Sequence, residues 1–182
     1  MRLPAFLALI AVVGTSVLPA AADAQGLLYV ASQEAVTVAV IDMATNELVE
    51  TVDLKALGYS ETAKAHHTAV EPDGSFWYVS LIAAGKVLKF DRDNRLVGET
   101  AFETPGMLSL DPTSDLLYVG RSMAAVNPPQ RVGVIERSSM EIAEVDVFFP
   151  RPHAIAVDPT RYPAEWVDVG SDLPMPSTLR RR

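Results

Sequence analysis

HHTAVEPDGSFWYVSLIAAGKVLKFDRDNRLVGETAF, from His66 to Phe102, divides into four short apolar runs separated by three clusters of turn-forming residues. The runs are His67 to Pro72, Phe76 to Leu81, Lys86 to Asp91 and Arg95 to Phe102, each of ordinary strand length. Between them lie Pro72-Asp73-Gly74-Ser75, Ala83-Ala84-Gly85 and Arg92-Asp93-Asn94. Gly and Asn tolerate positive φ and Asp bonds its own backbone, so each cluster is a turn with a mechanism. Pro72 and the glycines interrupt every window long enough to hold a helix. The segment therefore reads as one antiparallel sheet of four strands.

Imperfect copies of this unit are found at fixed offsets. Six residues before Pro72, Pro112 and Pro159 stand His66, Gly106 and His153, and six residues after the first two stand Tyr78 and Tyr118, each followed by valine. Tyr29-Val30 opens the same way, and an acidic residue, Asp42, Asp91 or Glu136, closes the following strand. The repeats start about 40 to 50 residues apart, the period of propeller blades. The expected fold is all-β: a β-propeller of four-stranded antiparallel blades, with about three blades present and the ring incomplete.

Outward from the central unit, Gly26 to Ser32, Val36 to Met43 and Glu47 to Leu54 supply three strands of a blade that lacks its first. Val36, Val38 and Val40 alternate with Thr37, Ala39 and Ile41, the period-two pattern of a sheet with two distinct faces. On the other side, Gly106 to Asp111, Leu116 to Ser122, Arg131 to Arg137 and Glu141 to Phe149 form a full blade, and His153 to Pro159 begins another. That makes about twelve strands, or three blades' worth, fewer than the four to eight blades a closed propeller uses. Residues 160–182 do not continue the pattern: Glu165-Trp166 stands where Tyr-Val is expected, and Pro163, Pro174 and Pro176 would interrupt a ladder. The chain is thus expected to divide into 1–24, 25–159 and 160–182. It reads as a truncated or frame-altered piece of a longer propeller, or as half of an assembly.

Residues 1–24 carry the marks of an export signal: Arg2, an apolar run from Phe6 to Val17, and Ala22-Asp23-Ala24 before an expected mature start at Gln25. The apolar run is short for a membrane span, so no span is expected once the signal is removed. The expected compartment is periplasmic or extracellular. The chain has no cysteine, which removes disulfides and thiolate ligands. Its formal net charge is -8, without a basic stripe, which argues against nucleic acid as a partner.

PDGSFWYVS followed by KVLKFD, with DPTSDLLYV and DPTRY repeating the first half, resembles the YVTN-type (YncE-like) β-propeller repeats of exported bacterial proteins. The resemblance covers roughly residues 26–159 and implies fold more than activity. The same blade shape occurs in periplasmic redox proteins, notably the propeller of nitrous-oxide reductase, where paired histidines bind copper. That likeness implies a metal role for His66 and His67, yet the chain has only 3 histidines, short of the set such a copper cluster uses.

Strands of a blade run alternately up and down, so alternate connections share a face. The short Pro-Asp-Gly-Ser and Arg-Asp-Asn turns share one, and the longer segments, among them Lys55 to His67 and Met123 to Gln130, share the other. Binding residues on a rigid scaffold favour the longer loops. All three histidines fall at that end: His66 and His153 at equivalent repeat positions and His67 beside the first. Convergent imidazoles suit copper or zinc, although adjacent strand residues point oppositely and could share an ion only if the chain bends there. The commoner role for such a histidine is to bond neighbouring backbone and pack. Arg121, Arg151 and Lys86, with Arg131, are candidates for a cationic ring around an anionic ligand, against the commoner role of solvated loop charges. Trp77 and Tyr78 read as core. There is no nucleophile elbow, phosphate loop or zinc-protease helix.

The preferred reading is an exported, non-enzymatic propeller that binds a protein or small molecule on its long-loop face, with no cofactor; self-association would complete the ring. The alternative is a periplasmic metal-binding or redox-associated propeller using His66, His67 and His153 with copper or zinc. A third reading is a remnant whose complete relative carries the activity.

Overall fold

The computed structural model describes residues 26–159. Within them lie eleven strands and no helix: β1 Leu27–Ser32, β2 Thr37–Asp42, β3 Glu47–Asp53, β4 Ala65–Val70, β5 Phe76–Leu81, β6 Lys86–Asp91, β7 Leu96–Ala101, β8 Pro105–Leu110, β9 Leu116–Arg121, β10 Arg131–Glu136 and β11 Glu141–Asp146. They form three antiparallel meanders, β1-β2-β3, β4-β5-β6-β7 and β8-β9-β10-β11. The boundaries fall within one or two residues of those expected from turn chemistry, except that β11 ends at Asp146, three residues before the expected Phe149. Gly74, Gly85 and Asn94 take φ of 67°, 63° and 59°, the left-handed conformation that Gly and Asn reach most cheaply. Residues 1–25 and 160–182 lie outside the described residues, and with them the expected export signal and atypical tail.

The sheets stack because β5, central in the middle sheet, is apolar on both faces. Trp77, Val79 and Leu81 of β5 face the first sheet and pack with Val36, Val38, Val40, Val52, Leu54, Leu88 and Phe90. Tyr78 from the opposite face packs with Val87 of its own sheet and with Leu108, Leu117, Val119 and Ile135 of the third. A strand buried on both faces loses the polar-apolar alternation of a half-buried one, which explains FWYVSL. Hydrogen bonds also cross between sheets. The Thr68 hydroxyl donates to the Tyr29 carbonyl at 3.0 Å, and the Ser80 hydroxyl to the Gly106 carbonyl at 2.8 Å. Three sheets packed in this way are part of a propeller.

One strand expectation is corrected. His153 to Pro159 is not a strand; the segment is held to β9 by the Arg121 N–H donating to the Pro152 carbonyl at 2.6 Å. A ladder needs successive bonds, and no strand among the described residues pairs with residues 153–159.

At the short-turn end a polar group lies between the second and third sheets. The Tyr78 hydroxyl donates to Glu71 Oε1 at 2.6 Å, and Arg137 Nη1 lies 3.3 Å from the same oxygen. Lys89, 8% exposed, donates to the Arg137 carbonyl at 2.7 Å and sits 4.0 Å over the Phe76 ring. Burial, then the hydrogen bond and charge of Glu71, push the Tyr78 hydroxyl pKa well above its ordinary 10.0. A pKa raised by folding contributes stability that is fully present below the unfolded value and lost as pH rises through the folded one. Thermal unfolding from about pH 9 to 11 is therefore expected to show a falling midpoint, with a shallower fall in Tyr78→Phe. Equal slopes would show that this phenol is not held protonated by the fold.

Candidate functional site

The order of strands sorts the connections by length. Residues 43–46, 71–75, 92–95, 111–115 and 137–140 turn at one end, while 33–36, 54–64, 82–85, 102–104, 122–130 and 147–152 cluster at the other. The two long excursions, 54–64 and 122–130, thus share an end, and the Val147 N–H donates to the Gln130 carbonyl at 2.8 Å, tying 147–152 to 122–130. This end carries exposed apolar side chains: Leu57, Met123, Val126, Phe148 and Phe149, with Val126 at 84% and Phe148 at 86% exposure. The expectation that longer loops gather on one face agrees with this arrangement. These exposed apolar tips were not singled out from the sequence, although the unbroken pair Phe148-Phe149 beside Pro150 is a visible cue.

The three histidines lie at this end with different partners. His67 has its backbone N–H on Ser80 Oγ at 3.2 Å, and its Nδ1 accepts the Leu108 N–H at 3.2 Å. It is a tie between the second and third sheets, the commoner role anticipated for such a residue. His153 has Nδ1 2.9 Å from the Arg121 carbonyl. A carbonyl only accepts, so Nδ1 carries a proton, and in the neutral ring Nε2 has the lone pair. His66 meets the Gln33 side-chain amide, Nε2 to Nδ1, at 3.4 Å, and its ring centroid lies 6.1 Å from that of His153. His66 and His67 both have pKa values below the ordinary 6.5. Burial is the main cause for each; the neighbouring imidazoles add to it, His153 for His66, and His66 then His153 for His67. Both are therefore neutral at neutral pH. Gln33 is a further group that sequence reasoning missed, because it approaches His66 across 33 residues of chain.

The cationic set is placed differently from the ring anticipated for it. Arg121 is 1% exposed and turned into the third sheet: Nη1 donates to the Glu103 carbonyl at 2.6 Å, Nη2 to Glu144 Oε2 at 2.8 Å, and the guanidinium lies 3.9 Å over the Phe102 ring. Its charge is satisfied internally, which removes it from the loop surface. Lys86 is paired with Glu99, and Arg131 with Asp146 at 2.7 Å. Arg151 is exposed, with φ of 56°. Trp77 and Tyr78 are buried in the core, as expected. Among the described residues no group of three or more His, Asp or Glu is placed to hold a metal ion, so His67 does not join the other two histidines in such a cluster.

No family model and no curated protein matches the chain. Solved structures that it resembles include hydrazine synthase from Kuenenia stuttgartiensis, with TM-score 0.57 and 21% identity, covering 69% of this chain and 34% of that one. A catalytically inactive virginiamycin B lyase from Staphylococcus aureus, solved with quinupristin, matches with TM-score 0.54 and 14% identity, covering 73% of this chain and 44% of that one. The WD40 repeats of RRP9 match with TM-score 0.54 and 9% identity, covering 66% of this chain and 35% of that one. The chain spans less than half the length of each of these structures. At such identities the likeness concerns the propeller fold alone.

Proposed function

We propose that this chain is part of an exported YVTN-type propeller that acts as a binding scaffold and engages a protein through its long-loop end. The reading is carried by the gathering of Leu57, Met123, Val126, Phe148 and Phe149, exposed, on connections that share one end of the stacked sheets. Large apolar side chains at loop tips lose favourable burial unless something covers them, and clusters of them mark interaction sites. Two are phenylalanines, a residue type enriched at protein interfaces. The opposite end has tight turns built on Asp, Asn and Gly, and its exposed apolar side chains, such as Met43 and Leu48, lie on or beside the first sheet.

The test places a photo-crosslinking residue at Val126 or Phe148, and as control at Thr45 or Asp93 on the short-turn end, in the full-length chain expressed in a bacterium with a periplasm. A discrete adduct from the first pair, absent from the second and abolished by Phe149→Asp, is expected. The purified product is expected to have the mass of a chain beginning at Gln25. Adducts of equal yield from both ends, or from neither, would overturn the binding face; an unprocessed chain would overturn export while leaving the face intact.

A further inference from the structure

β4 enters its sheet through a bulge. Ala65 pairs with Leu81 and His67 with Ser80, so His66 is the extra residue. A bulge re-aims a side chain away from the regular alternation and recurs beside functional sites. Here it separates the roles of two adjacent histidines. His67 is tied to the Leu108 N–H of the next sheet, whereas His66 lies 6.1 Å from the His153 ring, centroid to centroid, with the planes at 35°. His66 Nε2 is buried and has no hydrogen-bond partner among the described residues. Buried polar atoms are nearly always partnered, so this one calls for an occupant.

Both rings are oriented from behind. His153 Nδ1 is held by the Arg121 carbonyl at 2.9 Å, which leaves Nε2 as an acceptor. His66 Nδ1 faces the Gln33 amide at 3.4 Å. As placed, the amide nitrogen faces Nδ1; with the amide turned over, an orientation of the same shape, its oxygen accepts from Nδ1–H and Nε2 presents its lone pair, and the site requires that orientation. Imidazoles fixed through one nitrogen by a carbonyl or amide, with the other free, are disposed as metal-binding histidines are.

We infer that His66 and His153 hold one transition-metal ion, Cu²⁺ or Zn²⁺, between their Nε2 atoms. Two imidazoles binding one ion at about 2.0–2.1 Å have ring centres roughly 5 Å apart at a tetrahedral angle and roughly 6.5 Å apart when opposed across the ion, so the observed 6.1 Å lies toward the opposed arrangement. Imidazole suits both ions, and copper binds the more tightly. No third His, Asp or Glu joins them among the described residues, so the two imidazoles are the protein ligands assigned. The site depends on residues 152–153 lying against β9. At Gly120 an added Cβ would stand 2.2 Å from the His153 carbonyl oxygen, so only glycine permits that approach.

The test is titration of dialysed full-length protein with Cu²⁺ and separately with Zn²⁺, followed by calorimetry and, for copper, by electron paramagnetic resonance. One ion per chain and nitrogen couplings from two imidazoles are expected. His66→Ala and His153→Ala each lower affinity by more than 100-fold, Gln33→Leu by about 10–100-fold as for other groups behind a ligand, and His67→Ala leaves the stoichiometry unchanged. Gly120→Ala, with β-sheet circular dichroism retained, also removes the site by displacing His153. Absence of stoichiometric binding in the unaltered protein would overturn the inference. So would copper that survives His66→Ala and His153→Ala, or that is lost equally with His67→Ala. Because none of these residues belongs to the apolar rim, the result stands apart from that of the crosslinking experiment.

Discussion

Trp77→Ala is expected to destabilise the chain by about 3–5 kcal/mol, the range for truncating a large buried aromatic. The indole is 1% exposed, stacked on Phe90 at 4.2 Å with the planes 9° apart, and 5.0 Å from the Tyr29 ring. Phe90 belongs to the same sheet and Tyr29 to the preceding one, so a single truncation weakens both a sheet and its junction. The indole N–H also donates to Asn94 Oδ1 at 3.0 Å, while the Asn94 amide donates to Glu50 Oε2 at 2.6 Å. Trp77→Phe keeps a stacking ring but loses that donor and part of the volume, and a smaller loss is expected. Urea unfolding followed by far-ultraviolet circular dichroism measures both. A loss below about 1 kcal/mol for Trp77→Ala, well short of the range for such cavities, would contradict this packing between the first and second sheets.

Arg121→Ala is expected to cost a similar amount, about 3–5 kcal/mol, for a different reason. The guanidinium serves the Glu103 carbonyl, the Arg131 carbonyl at 3.4 Å and Glu144, and covers Phe102. Truncation leaves the polar groups around it short of donors and opens a void beside the ring, and an unmade buried hydrogen bond costs more than a made one contributes. Lysine should recover only a minor part, because an ammonium cannot reproduce the planar fork. Urea unfolding together with amide hydrogen exchange of β10 and β11 would check this. Lysine matching arginine would show that the fork is not needed, and unchanged exchange in β11 on truncation would show that Glu144 is not anchored through it.

These two residues differ in how visible they were. Trp77 lies in an unbroken apolar run, and the run alone marks it as core. Arg121 lies at the end of LLYVGR, where a charge ordinarily marks the strand's exit into solvent. Its burial depends on Glu103 and Glu144, which lie 18 and 23 residues away in the chain. The same limit applies to Glu71, Tyr78 and Arg137, whose union needs the second and third sheets side by side. The distinction between His66 and His67 depends on a bulge of one residue, and neither side chain type nor spacing signals it. His153 was expected to open a strand, but a strand is a property of pairs, and no strand among the described residues pairs with it.

What the amino-acid sequence determined by itself was eleven of the twelve expected strands, their meander order and the face on which the long connections lie. These follow from short-range causes: the φ preferences of Gly and Asn, the missing N–H of Pro, and the alternation of side chains along a strand. Only the tertiary structure decided which charges are internal and which histidines meet. Those outcomes depend on distances between residues far apart in the chain, and such distances are set by packing one sheet on another, which no local pattern encodes.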